Sequence, residues 1–250
     1  MGGARGFGAA YKDLPQQVAA FDRALNGQPL GNCAPAVAGG AFDLGPKPLA
    51  AFWLGINRAA TSDPNRVRSA NGVLDAISQL STTYGVMDFL VFDLPELGLW
   101  PGFGVADSTA AAQFNATLSS GLDVLETADP LLNITRFEVS ALFDAVIAAP
   151  ADYGFTGGLG PCRETWSVSS PFCTNPDQRI FYDSVHVSAP MHELIEAGSR
   201  NALAASAPDE GAPSVTVVPG PAGMPLLVLG LGVLAALARR AGVQKDLQTA

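Results

Sequence analysis

The chain reads as an α/β protein with a parallel sheet covered by helices. Two observations predict it. Short apolar runs of strand length alternate with longer stretches of helical period, and the order is strand, helix, strand, helix, strand, helix. Residues 49–56 (LAAFWLGI) form the first buried strand, ending at Asn57. Residues 65–83 follow as a helix, because Val67, Ala70, Val73, Leu74, Ile77 and Leu80 recur at helical spacing. Residues 87–94 (MDFLVFDL) are a second apolar strand, stopped by Pro95, and 108–126 a second helix capped by Ser108 or Asp107. Residues 132–138 make the third strand and 139–148 the third helix, ended by Pro150. Strands that each feed a helix must pair in parallel, since a parallel connection needs a crossover. Residues 150–182 are irregular and rich in Gly, Pro, Cys and aromatic side chains; 188–205 return to helix, and 206–217 have the composition of a flexible linker.

Composition narrows the function. The 250 residues carry 14 Lys+Arg against 23 Asp+Glu, a net charge of -9, with 48% hydrophobic and 15% charged residues. A chain this long and apolar buries one sizeable core, so disorder is excluded for most of it. The acidic balance, with no basic run, argues against nucleic acid as a partner. Three cysteines without a C-x-x-C pair argue against a zinc site, and no cofactor motif is present. The glycines from Gly2 to Gly8 follow no strand and precede no phosphate-loop lysine, so they are not a dinucleotide fingerprint.

The two ends differ in kind. The first residues, MGGARGFGAAYKDLP, hold no apolar core of a signal peptide. From Ala212 to Ala238 there is no charged residue, and Met224–Ala238 (MPLLVLGLGVLAALA) runs directly into Arg239 and Arg240. This run lacks the polar face of a buried terminal helix, which favours a membrane segment, although it reaches spanning length only with Val215–Gly223 included.

Chemistry concentrates around one histidine. Asp183 lies three residues before His186, a spacing that lets the carboxylate accept from the ring nitrogen nearer the backbone and leaves the far nitrogen as a base. Taken by itself, Asp-x-x-His is also an ordinary capping or surface pair. His192, inside the following helix, reads as a structural or surface residue.

Several separated blocks, in order, resemble the GDSL or SGNH family of serine esterases and lipases. Phe181-Tyr182-Asp183-Ser184-Val185-His186 resembles the family's last block, with Val187-Ser188 where Pro-Thr usually follows. Phe52-Trp53-Leu54-Gly55-Ile56-Asn57 resembles the block in which a strand ends in Gly-x-Asn-Asp, with Arg58 in place of the second Asp. Leu90–Pro101 resembles the strand that enters a Pro-rich turn, and Phe114–Leu118 the helix after it. Tyr153-Gly154-Phe155 with Cys162 and Cys173 resembles the loop of the phospholipase and haemolysin-like branch. Gly2-Gly3-Ala4-Arg5 and Leu14–Val18 resemble the Gly-Gly-Ala block and its following helix.

The resemblance covers roughly residues 2–205 and implies a three-layer α/β/α, flavodoxin-like fold that hydrolyses a carboxylic ester through an acyl-enzyme. It implies that Asp183 orients, that His186 is the base, and that Asn57 and the Gly3 N–H form the oxyanion hole. The family's Gly-Asp-Ser block, which carries the nucleophile on the first strand, occurs nowhere in the 250 residues. The expectation is therefore a chain lacking its N-terminal strand and nucleophile, with both these and a signal peptide upstream of Met1. A non-catalytic surface or matrix module that keeps the fold is the alternative reading.

The tail resembles bacterial sorting signals of the PEP-CTERM kind, in the variant with Val-Pro-x-Pro-Ala: Val218-Pro219-Gly220-Pro221-Ala222, the apolar run, then Arg239-Arg240. This implies export to the cell envelope or exterior, transient anchoring in the inner membrane by residues 223–238, and cleavage by a sorting peptidase of exosortase type. The organisation is then a hydrolase-like domain at 1–205, a linker at 206–217, a sorting motif and membrane helix at 218–240, and a tail at 241–250. At an external location, Cys162 and Cys173 favour a disulfide pinning the irregular loop over two buried thiols. Asn115-Ala116-Thr117 and Asn133-Ile134-Thr135 match the glycosylation pattern, which carries no weight beside a bacterial tail.

Overall fold

Strands whose side chains are apolar on both faces have to sit where both faces are covered. The computed structural model, which describes residues 14–26, 44–56, 66–164, 169 and 171–206, builds a sheet covered in this way at its central strand, while the first strand buries only Phe52. Strands β1 (Leu49–Phe52), β2 (Asp88–Phe92) and β3 (Asn133–Phe137) pair in parallel in that order. Ala51 lies opposite Leu90 and Leu90 opposite Thr135. Phe89, Leu90, Val91 and Phe92 of the central strand are all buried, so the sheet is covered on both sides at its centre.

The helices are α1 (Leu14–Leu25), α2 (Val67–Tyr84), α3 (Val105–Ala128), α4 (Val139–Ala148) and α5 (Ala189–Ser206). Ala70, Val73, Ala76, Ile77 and Leu80 give α2 one buried stripe. It packs on α3 where Gly121 leaves room for Leu74, and α1 packs on α2 through an edge-on contact of Phe21 with Tyr84. Helix α5 lies along β3, where a Cβ on Gly198 would come within 2.5 Å of the Phe137 ring. Phe89, Phe114, Phe143 and Phe181 are fully buried in the common core, each worth about 1.5–3 kcal/mol relative to exposure.

Element ends differ from the sequence expectation for local reasons. Strand β1 stops at Phe52 rather than running to residue 56, because Gly55 turns to a φ of +107° and the chain leaves the ladder. Helix α2 starts at Val67 because Arg66 adopts the left-handed φ of 58°. It ends at Gly85 (φ 68°), whose N–H reaches the Ser81 carbonyl while the Val86 N–H reaches that of Leu80. Helix α3 begins three residues before the expected cap. Gly104 is the N-cap, and Asp107, inside the first turn, accepts the Gly104 N–H at 3.1 Å. The irregular stretch contains two short 3-10 turns, Pro150–Tyr153 and Pro176–Gln178, and Ser206 belongs to α5 rather than to a linker.

The exit of β2 is fixed by side chains from two helices. The Leu94 N–H donates to the Asn115 side chain at 2.8 Å, and the Asn115 amide donates back to the Leu94 carbonyl at 2.7 Å. The side chain thus stands in for a neighbouring strand. Asp93 accepts the Ser140 N–H at 2.9 Å and the Ser140 hydroxyl, which secures the first turn of α4. Burial pushes the Asp93 carboxyl above its ordinary range, against the downward pull of those hydrogen bonds.

Among the described residues no helix is long and apolar enough to cross a membrane. The apolar run 224–238, the sorting motif, Gly3, Asn57 and Arg58 lie outside the described residues.

Replacing Asn115 by Ala leaves both Leu94 backbone groups without their partner. The expected loss is about 1–3 kcal/mol in urea unfolding. An unchanged midpoint would show that the amide pair does not hold the β2 exit.

Candidate active site

The segment after the irregular loop folds into a narrow hairpin because its backbone pairs with itself. Phe181 and Val187 form an isolated antiparallel bridge, the Ser188 N–H reaches the Ile180 carbonyl at 2.8 Å, and the Tyr182 N–H reaches that of His186 at 2.9 Å. At the tip, the Asp183 carboxylate gathers the donors of its own turn. It accepts the Val185 and His186 N–H groups, each at 2.8 Å, and the His186 ring through Nδ1 at 2.9 and 3.0 Å.

These bonds decide the charge state of the pair. Burial alone would raise Asp183, which is 3% exposed. The Val185 N–H, the His186 ring and the His186 N–H together outweigh it and hold the carboxyl below its ordinary value. A carboxylate ionised in this way fixes the proton of neutral His186 on Nδ1 and leaves Nε2 as the basic nitrogen. The His186 side chain is 67% exposed, so that nitrogen is reachable from outside the protein. His192, one turn into α5, is pushed down by partial desolvation and then by the charge of His186.

The neighbouring residues brace the hairpin. Trp100 stacks on Phe143 and packs against Phe181, both at 5.4 Å between ring centres. Cys162 and Cys173 are joined in a disulfide with Cα atoms 4.8 Å apart. The Cys162 N–H reaches the Phe181 carbonyl and the Arg163 N–H that of Tyr182, at 3.0 and 2.9 Å, so the strap is sewn to the hairpin. Such a link contributes about 3 kcal/mol if its main effect is on the unfolded chain. Ser188 caps α5, its hydroxyl accepting the Met191 N–H at 3.4 Å, so the departure from Pro-Thr keeps a working helix start.

Structure brings together Asp183, His186 and the disulfide. Gly3 and Asn57 lie outside the described residues, but the strand exit that leads to Asn57 is held by a residue not singled out in the sequence. Arg66, 6% exposed, donates to the Gly55 carbonyl at 2.6 Å and to Asp107 at 3.2 Å. This buried ion pair ties the end of β1 to the start of α3, and no local sequence pattern signals it. Among the described residues no group of three or more His, Cys, Asp and Glu side chains could hold a metal. An apolar groove of about 240 Å³, lined by Phe21, Leu44, Leu49, Phe52, Leu80 and Val86, lies instead beside β1.

The described residues thus join a parallel sheet to an exposed imidazole backed by a buried carboxylate, an arrangement whose free ring nitrogen can accept a proton. No protein-family model matches the chain. A GDSL esterase/lipase of Arabidopsis thaliana is similar to it, 28% identical over an alignment of 142 positions that covers 49% of this chain and 39% of the relative. The match therefore spans about two fifths of that relative's length.

The carboxyl of Asp183 has a lower pKa folded than unfolded, so its stabilising effect is present above the ordinary carboxylate range and is lost as pH falls through the folded value. Asp183→Asn should lower stability at pH 7, and the gap to wild type should close in acid. A gap independent of pH would contradict the ionised pair.

Proposed function

We propose that this chain carries the base and oxyanion half of an exported GDSL-type esterase with a three-layer, flavodoxin-like fold. The observation that carries the reading is the exposed His186 ring held through Nδ1 by the buried Asp183. In the proposed reaction, a serine Oγ attacks the ester carbonyl while His186 Nε2 takes its proton. The Asn57 amide and the Gly3 N–H receive the developing oxyanion, and collapse passes the proton to the departing alcohol. Water then repeats the sequence on the acyl-enzyme. Asp183 stays ionised throughout and stabilises the imidazolium.

The serine is not one of the hairpin's own. Ser188 is 2% exposed and occupied in capping α5, and Ser184 lies in the turn that carries the base. We assign it to a Gly-Asp-Ser block outside the 250 residues, on a strand beside β1. Two features support that position: β1 pairs only with β2 among the described residues, and Leu49 and Phe52 of β1 line an apolar groove. The substrate is a carboxylic ester, a lipid or an acylated glycan. The second reading, a non-catalytic surface or matrix module that keeps the fold, is favoured by Arg58 and by Val187-Ser188 after His186.

The deciding experiment compares the 250-residue chain with a form extended upstream on a short-chain nitrophenyl ester. The extended form should turn over, the shorter one should be slow, and His186→Ala should cost the active form at least about 10²-fold. Equal turnover would place the nucleophile within these residues, and an active His186→Ala would remove the histidine from the mechanism.

Sorting through residues 218–240 rests on the apolar run closed by Arg239 and Arg240, which orients the C-terminus to the cytoplasm. A reporter fused after Ala250 that works only in the periplasm should be silent. Activity there would reverse the topology.

A further inference from the structure

The hydrogen bonds at Asp183 fix the imidazole relative to its own turn, but something outside the turn has to fix the turn relative to the sheet. One backbone contact does so. Residues 100–103 form a turn in which the Phe103 N–H donates to the Trp100 carbonyl at 3.1 Å. At its exposed tip, Gly102 lies directly against the segment between Asp183 and His186. A Cβ on Gly102 would come within 2.5 Å of the Ser184 carbonyl oxygen, 3.0 Å of a Val185 methyl and 3.2 Å of the Ser184 carbonyl carbon.

We propose that Gly102 is a positioning residue for His186: its missing side chain lets the 100–103 turn buttress the Asp183–His186 turn at backbone contact. The inference rests on the reading of His186 as the base. Two features make the contact consequential. The obstacle is a backbone carbonyl, which cannot swing aside as a flexible side chain would. Both turns are also anchored at their stems by one aromatic contact, since Trp100 precedes Gly102 by two residues, Phe181 precedes Asp183 by two, and their rings pack at 5.4 Å. Trp100 and Phe181 are 4% and 1% exposed, so neither stem is free to retreat. A side chain at residue 102 therefore has to be accommodated at the tips, where Ser184 links the carboxylate to the imidazole turn.

The contact also explains why glycine is tolerated in an exposed turn. Gly102 has no left-handed backbone, unlike Gly55, Gly85 and Gly154. Its requirement is space, and the cost of filling that space falls on His186 rather than on the core.

The test is Gly102→Ala, with Gly104→Ala as the matched control, because a Cβ at Gly104 meets nothing within 4 Å. Nitrogen shifts of labelled histidine in the 250-residue chain read the His186 tautomer above its titration range. Wild type and Gly104→Ala should hold the proton on Nδ1, and Gly102→Ala should move population to the Nε2-protonated form. In the form that hydrolyses the nitrophenyl ester, Gly102→Ala should lower kcat about 10- to 100-fold with KM unchanged, the scale expected of a small misplacement of a catalytic group. An unaltered tautomer and kcat would overturn the proposal. So would a Gly102→Ala chain that fails to fold while Gly104→Ala folds, since the contact would then serve the whole fold. If wild type hydrolyses no ester, the esterase reading fails by itself while the tautomer measurement still decides the contact.

Discussion

The pairing of the Asn115 amide with both backbone groups of Leu94 is the interaction on which the rest of the arrangement depends. A central parallel strand has to end somewhere, and its last peptide groups are stranded between two neighbours that diverge. Here one side chain from α3 completes the ladder, and Asp93 reaches across to the first turn of α4. The direction in which β2 leaves the sheet is thereby set by two helices. Everything downstream inherits that direction: the buried Leu97, the Trp100 stack, and the turn that meets the histidine hairpin.

Electrostatics follow the same division of labour. Asp93 and Asp183 are both carboxylates in turns, yet their environments push them apart. Asp93 is dominated by desolvation and is raised; Asp183 faces more donors than its burial can offset and is lowered. The first serves as a helix latch whose charge is a cost, and the second as an anion that holds the imidazole through Nδ1. Arg66 with Asp107 forms a third, buried pair. Removing one partner of such a pair is more damaging than replacing both, because the survivor is left charged and desolvated.

What the sequence disclosed was local. The strand and helix alternation is written in hydrophobic period, so β2, β3 and α4 were legible, α4 to the residue. The Asp183–His186 pair was legible because its whole hydrogen-bond set lies within three positions. Capping logic looks for a side-chain oxygen at the cap and so starts α3 late, whereas Asp107 works from inside the first turn onto the Gly104 N–H. The Arg66–Asp107 pair, 41 residues apart, and the approach of Gly102 to Ser184 leave no periodic or spacing signal, since only the folded sheet brings them together. The early stop of β1 has the same origin: its apolar letters continue past Phe52, but the Gly55 backbone leaves the sheet.

The disulfide has a consequence for how this part of the molecule tolerates change. Its two Cα atoms are 4.8 Å apart, and the backbone on the Cys162 side is bonded to the histidine hairpin. The chain between the cysteines is a covalently closed ring, tied to the hairpin near its two ends through the Arg163 N–H and the Phe172 ring. Doubling such a ring adds only about 0.6 kcal/mol of closure entropy. The rim of the site can accept insertions, new recognition side chains or a whole grafted segment between Cys162 and Cys173, while the distance from Asp183 to His186 stays as it is.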